Sequence, residues 1–438
     1  MKFYKTLIMK KLWDKGYETE NLVEQFTVGN DRILDLKLAK YDVQGNVAHA
    51  KMLNKIGILK DEELKNILNG LNEIQKTIDD GTFIIEESFE DVHSKIEFEL
   101  TKTIGEAGKK IHTARSRNDQ VLVDLHLYAK EEIELIKQAV KQLFTTLLEL
   151  SEQHKKVLIP GYTHMQVAMP SSFGLWFSSY AESLIDDLIM LNAAYMISDQ
   201  NPLGSGAGYG TGFPIDRSYT TGLLGFKTLK YNVVSAQMSR GKLEKTMAYA
   251  MASVSGTLSK MAADVCLFMS PNFNFLGFPK ELTTGSSIMP HKQNPDVFEL
   301  VRARSNKIQN LPMEITMIVN NLTSGYHRDF QLLKGSFIQA VDSLKENLNI
   351  VNFMMQHVRI KDNILEKKIY DNLYSAESAN KLVMQGMSFR DAYKKIGNEI
   401  LNGKYKPDKN VHYTHEGSIG NLCLDKIKEK FDNHYNCY

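Results

Sequence analysis

The sequence predicts an all-α protein built around a bundle of long helices. Three observations carry this expectation. Glycine (28) and proline (10) are scarce in 438 residues, and proline lies well below the usual ~5%. Apolar residues recur at heptad spacing over long runs. No comparable run shows strand alternation or hairpin turn signals.

The elements follow in order along the chain. Residues 1–112 hold shorter helices, such as 61–79 and 89–103, broken by "DDGTF" and "GEAGKK". A first long helix runs from Asp119 to about Lys156, with Ile133, Ile136, Val140, Leu143, Leu147 and Leu150 as its seam. At 1.5 Å per residue it is roughly 55 Å long. A second seam is Phe173, Phe177, Tyr180, Leu184, Leu188, Leu191 and Tyr195. A third runs Leu243, Met247, Ala250, Val254, Leu258, Met261, Val265 and Phe268; a fourth runs Phe337, Val341, Leu344, Leu348, Val351 and Met355. After about residue 360 the seams shorten, and "NGKYKPDKN" (402–410) interrupts the last part. The expected division is an N-terminal helical domain (1–112), a central long-helix bundle (113–361) and a C-terminal helical domain (362–438). The central helices are too long and too apolar for a lone small bundle. Their second faces are expected to bury against other subunits of a homo-oligomer.

Composition removes several function classes. Lysine plus arginine is 53 against 52 for aspartate plus glutamate, a net charge of +1 that gives no general electrostatic case for nucleic acid. The three cysteines, Cys266, Cys423 and Cys437, are odd in number and lack metal-ligand spacing, as expected of a reduced cytoplasmic protein. Cys266 lies in an apolar helical run and reads as core. The start, "MKFYKTLIMKKLW", has too short an apolar centre for a signal peptide. No window approaches ~18 apolar residues, so no membrane span is expected. Neither HExxH nor a P-loop occurs, and no metal or cofactor is expected. The glycine-rich "GSGAGYGTG" (204–212) follows a helix rather than a strand, which weakens a dinucleotide-loop reading. It reads as a flexible connector.

Three polar segments precede three long helices: "HTARSRNDQ" (112–120), "GYTHMQVAMP" (161–170) and "GSSIMPHKQNP" (285–295). Asn118 is expected to cap the first helix, Pro170 and Pro295 to take first helical positions, and Asn294 to cap ahead of Pro295. Helix N-termini carry free N–H groups and positive partial charge, which suit carboxylates. Arg115, Arg117 and Lys292 accompany them. Taken singly, each feature has a plainer reading. The arginines are solvated charges near a cap, His164 is a packed histidine, Ser286 and Ser287 are turn residues, and His93 is structural. Three rigid polar segments at three helix starts are harder to dismiss. Serine, histidine, lysine and acidic groups suit proton abstraction with electrostatic stabilisation.

These motifs resemble those of a known family. "GSSIMPHKQNP" looks like the GSSxMPxKxNP signature of the fumarase/aspartase superfamily. "HTARSRNDQV" and "GYTHMQ" are similar to the HTGRSRNDQV and GYTHLQ segments of its argininosuccinate lyases. "LAKYDVQGNVAHAKML" (38–53), "EDVH" (90–93), "NPLGSGA" (201–207), "FPIDR" (213–217) and "YHRDFQLLK" (326–334) also match that family. The resemblance implies reversible β-elimination of argininosuccinate to L-arginine and fumarate without a cofactor, by a cytoplasmic homotetramer whose active sites are shared between subunits. It implies Ser286 as general base, in a loop able to close over substrate, and His164 as general acid or relay oriented by Glu299. Lys292 and Asn294 would hold a substrate carboxylate. Asp31, Asp91, His93, Ser116, Arg117, Asn118, Thr163, Arg240, Tyr326, Gln331 and Lys334 would be substrate-binding.

The sequence departs from the family pattern in places. LWGGRF reads "LWDKGYE", the glycine before RSRND is Ala114, an arginine gives way to Val167, and the second basic residue of QKKNP becomes Gln293. The alternatives are another lyase of the superfamily, such as adenylosuccinate lyase, and a non-catalytic structural homologue like the lens crystallins. "SRNDQ" and "YHRDFQLLK" argue against the first, and the retention of Ser286, His164 and Lys292 against the second.

Overall fold

The computed structural model describes residues 20–436. Cys437 and the N-terminal segment that includes "LWDK" lie outside the described residues. Helices dominate, as the seams predict, and five are long: Arg117–Gln153, Phe173–Ser198, Lys242–Met269, Asp296–Val319 and Leu333–Met355. The shorter helix expected at 61–79 is Asp61–Asp79, and that expected at 89–103 is Val92–Ile104. Among the described residues no helix is long and apolar enough to cross a membrane.

The chain divides into two compact units. One comprises Met1–Glu134, Ala193–Tyr249 and Asn310–Asp342; the other comprises Leu135–Asn192, Ala250–Gln309 and Ser343–Tyr438. In the first, Val43, Leu53, Ile67, Leu71, Ile96 and Leu100 form the centre of an apolar core. Ala39–Lys55, Asp61–Asp79 and Val92–Ile104 supply it, with the period of three to four residues that lines one helix face.

In the second unit the parts of the heptad seams that fall within it form the core. Val254, Leu258, Leu344, Leu348 and Val351 are fully buried, as are Leu143, Leu147 and Leu184. Leu150, at the end of the first seam, is only half-buried. Phe431 of the last helix stacks on Phe144 with centroids 3.8 Å apart. Asp264 accepts hydrogen bonds from Trp176 Nε1 (3.0 Å) and Tyr180 Oη (2.6 Å), so the polar atoms of those aromatics are satisfied. Cys266 is half-buried rather than core, and burial pushes its thiol pKa up.

Strand content was missed. Leu158–Thr163 and Gln166–Ser172 pair as an antiparallel hairpin. Its two central turn residues, His164 and Met165, have φ of 53° and 59°. Positive φ at both positions is the type I′ pattern, normally marked by Asn-Gly, and its absence hid the turn. Pro170 therefore lies in a strand, not at a helix start, and Ser172 Oγ accepts from Leu175 N at 3.0 Å instead.

Two other caps also differ from expectation. Ser116, not Asn118, caps the Arg117–Gln153 helix: its Oγ accepts from Asn118 N (3.3 Å), and Asp119 Oδ1 accepts from Ser116 N (2.9 Å). These two bonds satisfy free donors at the helix start. Pro295 stands one position before Asp296–Val319, its carbonyl accepting from Phe298 N and Glu299 N. Asn294 lies in a short strand and donates to the Gly285 carbonyl.

Candidate active site

In the first unit the helix Ala39–Lys55 places Asp42, Asn46 and His49 in its buried stripe, beside Val43, Ala50 and Leu53. Buried polar groups need partners. Asn46 Nδ2 donates to Asp42 Oδ2 at 2.9 Å, and Asn46 Oδ1 accepts from an Arg115 guanidinium nitrogen at 2.6 Å. Asp42 Oδ1 lies 2.8 Å from His93 Nδ1, and Asp124 Oδ2 is 3.8 Å from the same atom. Burial opposes charge on His93, but Asp42, then Asp91 and Asp124, outweigh it and push the pKa up to about 9. Asp124 is fully buried with neither carboxyl oxygen hydrogen-bonded, and burial, then Asp42, drives its pKa well up. One ligand-type atom from each of Asp42, His93 and Asp124 falls within 4.8 Å of the others, a spacing a cation would accept. The group already has its own counter-charges, the His93 imidazolium and the buried Arg115 guanidinium.

Asp91 caps the Val92–Ile104 helix, accepting from Ser94 N (2.8 Å) and Ser94 Oγ (2.6 Å). Its other oxygen pairs with Arg117 at 3.1 Å, and Arg117 also reaches Glu90 (2.9 Å) and Ser94 Oγ (2.8 Å). Burial would raise the Asp91 pKa, but His93, Arg117 and Ser94 together hold it below the usual carboxylate value. Asp35 accepts from Val92 N at 3.3 Å and from Lys334 Nζ at 2.7 Å. Lys334 Nζ is also 2.9 Å from Asp31. Burial works against the Lys334 charge, yet Asp35 and Asp31 raise its pKa. Gln331 donates to the carbonyls of Thr27 (2.8 Å) and Val28 (3.0 Å). Arg240 is buried, with Nε on Glu244 (3.0 Å) and a terminal nitrogen on the Phe330 carbonyl (2.7 Å). Tyr326 packs edge-on to Phe330.

The glycine-rich segment belongs to this framework. Gly204 N and Gly206 N each donate to Asp119 Oδ2 at 3.0 Å, while Oδ1 holds Ser116 N. Burial pushes Asp119 up to about 6, against these amides and Arg115. Gly204, Gly206, Gly208 and Gly210 all have positive φ, and a Cβ on Gly206 would sit 3.0 Å from the Gly210 carbonyl oxygen. Residues 201–206 are buried. The segment is thus a fastened brace for the Ser116–Asn118 turn rather than a flexible connector.

The second unit holds the other predicted residues. Thr163 and His164 are exposed at the hairpin tip. Thr284–Gly285 pairs with Gln293–Asn294, closing residues 286–292 into a loop. Within it Ser286 Oγ accepts the N–H groups of Ile288 (3.4 Å) and Met289 (3.1 Å). Lys292 and Glu299 are exposed. Among the described residues no hydrogen bond joins His164, Lys292 or Glu299 to one another.

The first unit therefore gathers Asp31, Asp91, His93, Ser116, Arg117, Asn118 and Lys334 into one bonded framework. Asp35, Asp42, Asn46, Asp119 and Asp124 were not singled out from sequence. A signal existed: Asp42, Asn46 and His49 fall at i, i+4 and i+7 on a stripe that is otherwise apolar, where a polar residue needs a reason.

Comparison with known proteins finds relatives along nearly the whole chain. A family model described as Lyase matches residues 15–310. The argininosuccinate lyase of Bacteroides fragilis is 54% identical over 418 residues, covering 95% of this chain and 94% of the relative. That of Thermotoga neapolitana is 42% identical, covering 88% of this chain and 97% of the relative. This chain belongs to the argininosuccinate lyase family. Similar solved structures include an EDDS lyase in complex with formate, with a TM-score of 0.74, 21% identity and coverage of 95% of this chain and 90% of that one. A Brucella melitensis fumarate lyase:delta crystallin has a TM-score of 0.70 at 17% identity, covering 87% of this chain and 93% of that one. These two share the fold.

Against the argininosuccinate lyase pattern, the departures fall at definable places. Ala114 has φ of 62°, the left-handed region where a glycine is unstrained. Val167 is an exposed residue of the hairpin, and Gln293 is an exposed residue of the ladder that closes the serine loop. None of the three replaces a group bonded within the first unit's framework.

Proposed function

We propose that this protein catalyses the reversible β-elimination of argininosuccinate to L-arginine and fumarate in arginine biosynthesis. Ser286 takes the proton from the succinyl Cβ. A serine hydroxyl is a weak base, and the environment of Ser286 Oγ is the single observation that carries the assignment. Two backbone N–H groups point at that oxygen, and donors of this kind favour its anionic form. The loop's short ladder fixes their aim. The carbanion spreads into an aci-carboxylate, with Lys292 and Asn294 holding the developing charge. His164, oriented by Glu299, protonates the leaving guanidinium.

The remaining contacts follow the bonded framework. Arg117, Ser116 and Asn118 face one carboxylate with the help of the free amides at their helix start. His93, Asp91, Asp31, Lys334, Gln331, Tyr326, Arg240 and Thr163 complete the substrate site. The working form is a cytoplasmic homotetramer with active sites assembled from more than one subunit. Exposed apolar side chains on the long helices, among them Leu300, Met313, Met317 and Phe353, support an oligomer.

The test is fumarate release, followed by its ultraviolet absorbance, with argininosuccinate and adenylosuccinate offered in parallel. Release from argininosuccinate alone is expected, and release only from adenylosuccinate overturns the reading. Light scattering that returned a monodisperse monomer would overturn the assembly.

A further inference from the structure

Three carboxylates crowd one imidazole in the first unit, and the lyase reading leaves two of them unused. His93 is buried, and its Nδ1 is committed to Asp42 at 2.8 Å. Asp42 is itself fixed, because its second oxygen accepts from Asn46 Nδ2 at 2.9 Å. Asn46 is held in turn by Arg115 at 2.6 Å, and Arg115 also donates to the Ile111 carbonyl at 2.9 Å. A continuous chain of hydrogen bonds thus runs from the "HTARSRND" segment to the His93 ring. Asp124, on the Arg117–Gln153 helix, approaches Nδ1 from a second side at 3.8 Å, and both its oxygens lack a hydrogen-bond partner.

We propose that Asp42 and Asp124 are positioning residues that hold His93 as an imidazolium, turned so that Nε2–H is the donor offered to a substrate carboxylate. The inference rests on the lyase reading and deepens it. Nδ1 cannot rotate away without breaking the Asp42 bond, so the ring has one orientation. With Nδ1 spent on Asp42, Nε2 is the remaining donor, and among the described residues no hydrogen bond engages it. An anion brought to Nε2 meets a charged N–H, which binds a carboxylate more strongly than a neutral one does. Of the other charged groups facing His93, Asp91 adds to the Asp42 field; Asp124 adds to it because the imidazolium favours its charged form against burial and Asp42. His112 and Arg115 lie on the opposite side of the balance. His112 is kept neutral near pH 7, its own pKa lowered to about 4 by burial and then by Arg115 and Arg117. Arg115 is shared with Asp42, Asp119, Asp124 and Glu97.

The experiment is an NMR titration of the substrate-free enzyme carrying ring-labelled histidine, with the His93 signal identified by its loss in His93→Gln. The wild-type His93 signal is expected to stay in its cationic position beyond neutrality and to move only near about pH 9. In Asp42→Asn it is expected to move near the ordinary value of about 6.5. KM for argininosuccinate then rises on the order of tenfold while kcat changes less, the sign of lost uniform binding. The alkaline limb of kcat/KM moves down with the resonance. If Asp42→Asn does not fold, Asp124→Asn is read in the same way, with a smaller shift in the same direction. A wild-type His93 that titrates near the ordinary value overturns the proposal. So does a folded variant with lowered activity but an unmoved resonance, KM and pH profile. Failure of the lyase reading would appear separately, as wild-type enzyme that releases no fumarate while the titration stands.

Discussion

Ser286 Oγ accepts the backbone N–H of Met289 at 3.1 Å, across a loop whose ends are tied by the Gly285–Gln293 ladder. The serine is therefore aimed by backbone, and its side chain can be removed with little effect on the loop's closure. Ser286→Ala should fold with a thermal midpoint close to the wild type. Its turnover of argininosuccinate should fall by about 100-fold or more, the usual scale for losing a positioned base. Substrate affinity measured by calorimetry should change little. A variant that binds substrate and turns over at the normal rate would remove Ser286 from the mechanism.

Asp119 connects two segments far apart in sequence. One carboxylate takes Ser116 N, Gly204 N and Gly206 N. Asp119→Asn preserves shape but puts an NH2 group against backbone donors. Leaving buried donors unpaired costs about 1–3 kcal/mol each, so a loss of at least about 2 kcal/mol is expected in urea unfolding. Gly206→Ala tests the same brace from the other side. Its φ of 61° and the Gly210 carbonyl oxygen 3.0 Å from the added Cβ predict destabilisation of about 1–2 kcal/mol. Both variants should raise KM, because the braced turn carries Ser116, Arg117 and Asn118.

Much of this was legible in the sequence, for reasons the residues make plain. The Leu243–Phe268 and Phe337–Met355 seams are buried at every position named from spacing, because a heptad stripe fixes one helix face regardless of tertiary context. The bounds of the Asp61–Asp79 helix are legible because acidic residues crowd its first turn and Asp80 and Gly81 follow its end. The hairpin was not legible, because its turn uses His164 and Met165 where Asn-Gly would be expected. The brace around Asp119 was not legible either. Its partners lie 85 and 87 positions away, and no local pattern encodes such a pairing. The buried Asp42–His93–Asp124 group fell between the two cases. The polar intrusion at Asp42 and Asn46 was visible, but which ring they served was a matter of tertiary structure.

Acidification should destabilise the fold through buried neutral histidines. His126 Nδ1–H donates to the Ser198 carbonyl at 2.8 Å, and burial first, then Lys230 and Lys130, lowers its pKa to about 4. The unfolded chain binds a proton at this site near pH 6.5, whereas the folded chain resists until about 4. Stability is therefore present above the unfolded pKa and is lost as pH falls through that window. Between the ordinary value of about 6.5 and the folded value of about 4 the effect is about 3 kcal/mol. His112 and His49 act in the same direction. Asp119 opposes them, because its folded pKa near 6 lets the folded state take up a proton first. His93 also opposes them in the upper part of this window, because the fold already holds its proton while the unfolded chain takes one up only near pH 6.5. Urea midpoints should fall between pH 7 and pH 5, and His126→Gln should flatten that slope.

His164 occupies the hairpin tip at φ 53°, a conformation in which asparagine is the best-tolerated replacement with a side chain. His164→Asn should keep the hairpin and the melting temperature. It should lower kcat for argininosuccinate by about 100-fold or more, since it removes the proton donor to the guanidinium. A good leaving group separates this role from a structural one. A substrate analogue whose departing nitrogen needs no protonation should lose much less rate in the variant. Equal losses with both substrates would argue that His164 acts only by shaping the turn.

Ala114 stands at φ 62°, immediately before the Arg115–Asp119 segment that anchors Asn46, Asp91 and the 204–206 amides. The left-handed region costs an L-residue with a Cβ roughly 1–2 kcal/mol, whereas glycine enters it freely. Glycine also enlarges the unfolded ensemble, which gives back part of that gain. Ala114→Gly should therefore stabilise the protein by about 0.5–1 kcal/mol in chemical denaturation. The effect on catalysis follows from what the strain holds. Arg115 is pinned to Asn46 and to the Ile111 carbonyl, and Ser116 is pinned to Asp119, so the turn has bonded anchors just beyond the strained residue. With those anchors intact, KM should stay within about twofold of the wild type. If Ala114→Gly instead raised KM severalfold, the alanine Cβ itself would be limiting the freedom of the turn. The Asp119 brace would then be insufficient on its own to fix the substrate-facing residues.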